Sequence, residues 1–183
     1  RVLDRLAGTN EVVLDPTGVR PPIECNAREL RTVVGTNRLG LPVLLDCLVE
    51  DSEDALFGRI DEARMALAGH SLGGFQTTEE SAGYTAAIAI QGAGTPRTDE
   101  AAPTLFMTSE ADEVVSDEIV RAAFERAIND AWFANHASAD HEDPRIDGGV
   151  YREPVIAFLR WHLLADAEGA AWFEGEACAL CTD

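Results

Sequence analysis

The stretch ALAGHSLGGF, residues 66–75, sets Ser71 between Gly69 and Gly73 directly after a run of small apolar residues. Such a run reads as a buried strand, and G-x-S-x-G at its end marks a turn so tight that the residues beside the serine must be small. The motif alone arises by chance; its place between a strand and a helix-compatible stretch reaching about Tyr84 gives it weight. A turn of this kind lifts the hydroxyl above the carboxyl edge of a sheet. The helix N-terminus next to it offers free N–H groups to a developing oxyanion, and the backbone N–H of Leu72 is the natural donor.

Similar apolar runs recur downstream: AAIAIQ at 86–91, PTLFMTS at 103–109 and AWFANH at 131–136 are further strand candidates. Between the last two, Ile119, Val120, Ala123, Phe124 and Ala127 fall at spacings of three and four, which predicts an amphipathic helix over 116–129. GGVYREPVIAFLRWHLLAD, 148–166, predicts a C-terminal helix with Pro154 near its start. Strand, helix, strand, strand, helix, strand, helix implies an α/β fold with a mostly parallel sheet covered by helices. Upstream, NEVVLDPTG at 10–18 reads as one strand closed by a turn, and VRPPIECN continues as an extended loop. Residues 41–49 have weak helix-like spacing, and 50–61 form an acidic loop. No repeat or low-complexity linker divides the chain, so 1–183 is expected to be a single domain.

Composition narrows the partners. Thirty-three acidic residues oppose 14 basic ones, all arginine, for a formal net charge of −19. Phosphate backbones and anionic membranes are repelled by such a surface, which speaks against nucleic acid. No run of 18 apolar residues exists to span a membrane. The start RVLDRLAGTN lacks an initiator methionine and a signal-peptide h-region, so a fragment or trimmed product is expected. Of four cysteines, Cys25, Cys47, Cys178 and Cys181, the last two form a C-x-x-C. A zinc site needs about four ligands and no second pair accompanies this one; a redox pair would sit at a helix start after a strand. A structural disulfide or two idle thiols is the better expectation.

A serine hydroxyl needs a base to take its proton and a carboxylate to hold that base. Asp112 lies just past the 103–109 strand, in the acid position of a Ser, acid, His order, with Glu110 and Glu113 as neighbours able to substitute. Three histidines follow: His136 ends a strand, His141 sits in the loop ADHEDPRIDGG, and His162 falls within the last helix, where packing explains it best. His70 is expected to point away from the site, since adjacent residues on a sharp turn should not share one side.

GHSLGG, TLFMTSEADEVV, ADHEDPRIDGG and YREPVIAFLRWHLLAD together resemble the α/β-hydrolases related to bacterial cutinases, polyester (PET) hydrolases and lipase-like relatives of the dienelactone hydrolases. The resemblance covers residues 55–183, leaves 1–54 poorly matched, and implies an α/β-hydrolase fold with helices on both faces. It implies Ser71 as nucleophile, Asp112 as acid and His141 as base, because Ala139, His141 and Pro144 match the family's histidine loop while His136 lies upstream. Leu72 supplies the oxyanion N–H, and Gly69 and Gly73 form the elbow. Dienelactone hydrolases use cysteine, so serine here favours carboxylic ester hydrolysis, with no metal or organic cofactor. The terminal C-x-x-C-T-D is similar to a feature of some bacterial relatives and points outside the cytoplasm.

Two features depart from that pattern. No aromatic or histidine precedes Phe57 to mark a second oxyanion loop, and 1–54 offers a single strand where the family builds several, so the N-terminal half of the sheet is expected to be truncated. The expectations are therefore a serine esterase acting on a small-molecule or polymeric ester, an impaired piece of one, or a non-catalytic hydrolase-fold module binding a partner. Acyl-chain preference is expected to lie near Phe75, Gln91 and the 94–101 loop; oligomeric state is not encoded legibly.

Overall fold

In the computed structural model the described residues are 61, 63–96, 100–145, 147–176 and 178–181. The expected elements of the first 60 residues fall outside them. Among the described residues four strands form one sheet: β1 (Ala66–His70), β2 (Ala86–Ile90), β3 (Thr104–Ser109) and β4 (Ala131–His136). They lie in the order β1-β2-β3-β4, every neighbouring pair parallel. Register aligns Gly69 with Ala89, Ala89 with Phe106 and Phe106 with Phe133, so the strand ends that follow rise at one edge.

The apolar runs form strands because both faces of the sheet are covered. In β3, Leu105 and Met107 face a core with Ala86 and Ile88, closed by Ala157, Phe158 and other residues of the C-terminal region. Phe106 faces the other way, into a second core with Ala89, Val120 and Ala123. The helix α2 (Asp117–Glu125) therefore covers one face, and α3 (Arg152–Leu164) the other. α1 (Leu72–Glu79) connects β1 to β2, and the short α4 (Ala167–Ala170) packs against α3. This is an α/β architecture with a parallel four-stranded sheet and helices on both sides.

Two helices are shorter than their periodicity predicts, each for a local reason. α1 ends at Glu79 instead of near Tyr84: the Thr78 hydroxyl bonds back to the carbonyls of Gly74 and Phe75, and Gly83 turns the chain at φ +85°. α2 ends at Glu125 because Asn129 is tied to the sheet, its side-chain amide donating to the Ala102 carbonyl and to the Thr104 hydroxyl. Pro154 sits in the first turn of α3, where its missing N–H costs nothing, and Ala165 closes the helix in a left-handed conformation at φ +53°.

His162 belongs to the aromatic core beneath the sheet. Its ring lies 4.3 Å from Phe158, 4.4 Å from Trp161 and 5.4 Å from Trp132 between centroids. Burial lowers its pKa, with the charge of Asp130 a weaker opposing influence. Near the C-terminus Cys178 and Cys181 form a disulfide, one of the two expected states of that pair.

Candidate active site

Ser71 follows the last residue of β1 and precedes the first of α1, in a backbone conformation of φ +56° and ψ −121°. A residue with a Cβ pays roughly 1–3 kcal/mol for such a conformation and keeps it only where its surroundings enforce it. Here they do: the Ser71 N–H donates to the Ile90 carbonyl at 2.9 Å, and the Ser71 carbonyl accepts from Gly74 at 2.9 Å and Phe75 at 3.2 Å. The helical ladder of α1 thus starts above Leu72, whose N–H, as the first of the helix, has no acceptor within it.

The close approaches that demand glycine are distributed differently from the motif. A Cβ on Gly69 would come within 2.2 Å of the Gly73 carbonyl oxygen, so Gly69 is sterically required. Gly73 itself has open space, with nothing within 4 Å of a Cβ placed on it. The tight contacts fall on Gly74, whose Cβ would lie 2.0 Å from the Gly92 oxygen, and on Gly92, whose Cβ would lie 2.2 Å from the Ser71 oxygen. The turn after β2 is the floor of the elbow. Neither Gly74 nor Gly92 stands out from the G-x-S-x-G spacing, although the runs GG at 73–74 and GAG at 92–94 are visible signals.

Three side chains, from the segments that follow β1, β3 and β4, meet at this turn. His141 Nε2 lies 2.9 Å from Ser71 Oγ, and His141 Nδ1 lies 2.8 Å from Asp112 Oδ2. Asp112 follows β3, and its other oxygen accepts the N–H groups of Val114 at 2.8 Å and Val115 at 2.9 Å. Burial raises the Asp112 pKa, but the hydrogen bonds from His141, Val115 and Val114 and the attraction of His141 outweigh it, so the carboxyl titrates below the ordinary aspartate range. A carboxylate so held keeps Nδ1 as the donor and leaves Nε2 free to accept the serine proton. Glu110 and Glu113, by contrast, are exposed.

The loop that delivers His141 is built from its own acidic residues. Asp140 Oδ1 accepts from the N–H of Glu142 at 2.8 Å and of Asp143 at 3.0 Å, while Asp143 Oδ2 accepts from Asp140 N–H at 3.0 Å. His136, at the end of β4, accepts from Ser138 and Ala139 N–H through Nδ1 and so fixes the start of the same loop. Tyr151 is buried beside this assembly; burial first, and the negative charge of Asp112 next, push its phenol well above the ordinary range and keep it neutral.

His70 corrects an expectation. Its ring stands 4.7 Å from that of His141, tilted by 44°, on the same side as the site. Alternation of side chains holds along a regular strand, and the positive φ of Ser71 ends it at this point. Burial lowers the His70 pKa most, then the charge of His141; the His141 backbone, the Gln91 side chain and Glu142 oppose the shift. Gln91 is fully buried, with φ +48°. Phe75 is half-buried on α1.

Among the described residues no group of three or more His, Cys, Asp or Glu could hold a metal ion, and no helix is long and apolar enough to cross a membrane. No family model matches the chain, and no curated protein matches its sequence.

Proposed function

We propose that the chain is a serine carboxylic-ester hydrolase with an α/β-hydrolase fold, working through an acyl-enzyme on Ser71. The observation that carries this reading is the continuous hydrogen-bonded line Ser71 Oγ, His141 Nε2, His141 Nδ1, Asp112 Oδ2, starting from a serine held at φ +56°. A strained serine at a strand-to-helix turn, an imidazole within reach of its hydroxyl and a buried carboxylate behind that imidazole supply the three roles acyl transfer needs. Their resemblance to the cutinase and polyester-hydrolase group gives the same assignment.

In the proposed reaction His141 Nε2 removes the Ser71 proton as Oγ attacks the ester carbonyl carbon. The oxyanion of the tetrahedral intermediate is met by the Leu72 N–H and the positive end of α1. The proton on Nε2 then passes to the leaving alkoxide oxygen, the carbon–oxygen bond breaks, and an acyl-serine remains. Water, deprotonated by the same nitrogen, attacks the acyl carbon, and collapse of the second intermediate releases the acid and returns the proton to Ser71. Asp112 fixes the tautomer and stabilises the imidazolium formed in both halves.

Fluorophosphonate labelling of the purified chain, with mass spectrometry to locate the adduct, tests this directly. The expected result is a single adduct on Ser71 in the native chain and none in Ser71→Ala or His141→Ala. Absence of label on natively folded chain overturns the proposal and leaves a binding module.

A further inference from the structure

The fully buried Gln91 stands at the carboxyl end of β2, where it touches both histidines' surroundings without belonging to the line of reacting groups. Its backbone N–H donates to the Met107 carbonyl at 2.7 Å, which anchors it to β3. Its side-chain Nε2 donates to the backbone carbonyl of Asp140 at 2.7 Å, across 49 residues of sequence, and Asp140 is the residue immediately before His141. The left-handed φ of +48° is not chosen by glutamine; it is imposed where the chain turns under Ser71, with the next residue, Gly92, pressed against the Ser71 carbonyl. One residue therefore ties the floor of the serine turn to the backbone of the histidine loop.

Gln91 Oε1, the other end of the same amide, is buried without a hydrogen-bond partner, as is His70 Nε2. The Gln91 side chain favours a proton on the His70 ring, an influence smaller than the burial that opposes it. The face of that ring lies against His141. We infer that Gln91 is a positioning residue for the base: its amide holds the Asp140 carbonyl, so that the His141 imidazole is fixed from its backbone, with the His70 ring against it on one side, while Asp112 fixes it from its edge. This rests on the esterase reading, since positioning has meaning only for an imidazole that transfers a proton.

A base displaced by even a fraction of a hydrogen-bond length loses rate in the chemical step without losing affinity for the ester. Gln91→Met keeps the length of the side chain and removes the donor; Gln91→Glu keeps the shape and turns the donor into an acceptor facing the Asp140 carbonyl. Hydrolysis of a soluble activated ester such as p-nitrophenyl acetate is expected to show kcat lowered by about tenfold or more in both, with KM within about twofold of the native chain. Gln91→Asn, which keeps the amide but shortens its reach, is expected to fall between. A folded Gln91→Met chain with unchanged kcat overturns the inference, as does a fall confined to KM. Should the variants not fold, the native chain still decides: the Gln91 side-chain amide protons must be strongly protected from exchange with solvent, and rapid exchange overturns the clamp. A native chain that takes no fluorophosphonate at Ser71 overturns the esterase reading and this inference together; a labelled native chain with indifferent Gln91 variants overturns this inference alone.

Discussion

At Ser71 a backbone conformation unfavourable for any residue with a Cβ has been kept. Ser71→Gly is therefore expected to raise the melting temperature by the equivalent of about 1 kcal/mol or more while abolishing fluorophosphonate labelling, a trade that thermal melts and mass spectrometry read side by side. The glycines around it separate into two kinds. Gly92→Ala must drive a methyl into the Ser71 carbonyl and is expected to cost about 1–3 kcal/mol, with loss of labelling as the turn shifts. Gly73→Ala meets open space inside α1 and is expected to be neutral or to stabilise by up to about 1 kcal/mol through helix propensity alone. Equal destabilisation by both would contradict the packing described for this turn. Asp112→Asn, which keeps the shape but no longer enforces the Nδ1–H tautomer, is expected to lower turnover by about 10⁴ with the fold intact; full activity would remove Asp112 from the mechanism.

Among the elements, the strands were legible because their signal is internal. AAIAI is apolar through its whole length and TLFMTS through Leu105, Phe106 and Met107, with all six positions of TLFMTS buried, as suits a strand covered on both faces, and AWFANH maps onto β4 residue for residue. Helix ends were less legible because they depend on partners elsewhere: Asn129 reaching Ala102 stops α2, and nothing in local periodicity announces it. Of the site, Ser71, Asp112 and His141 are legible from motif and chain order, since each lies in the segment that follows a strand. The placement of Gln91 and His70 beside the His141 loop escapes because it arises where the ends of different strands meet the loop after β4. The helix α3 packs an aromatic cluster against one face of the sheet. Phe158→Ala, removing a fully buried ring from against Trp132, Trp161 and Phe173, is expected to cost about 3–5 kcal/mol by chemical denaturation. Ile156→Ala, on the same helix and 44% exposed, is expected to stay within about 1 kcal/mol of the native chain.

For the molecule as a whole, two half-buried histidines contribute to the response to acid. His70 and His162 both titrate below the ordinary histidine value when folded, so the unfolded chain binds protons first as pH falls. Stability is complete above the ordinary histidine range and is lost as pH drops from there toward the lowered folded values, without further loss from these groups below them. The melting temperature is expected to fall between pH 7.5 and pH 5, and to fall less in His162→Phe; an identical slope would exclude His162 as a contributor. Asp112 acts lower on the scale, its stabilisation being present above the ordinary aspartate range and disappearing as pH falls through its depressed folded value.

The order of the four strands has a consequence in time. Because β1, β2, β3 and β4 lie side by side in the sequence in which they are made, each new strand on an emerging chain finds its neighbour already synthesised. Domains assembled during synthesis begin at the N-terminal end. The serine turn can take shape early, the carboxylate arrives with the end of β3, and the imidazole comes only with the loop beyond β4, shortly before α3 seals the lower face. On the proposed esterase reading, a ribosome-bound chain stalled before residue 141 would carry Ser71 without its base, and so would remain inert toward esters even after all four described strands had been made.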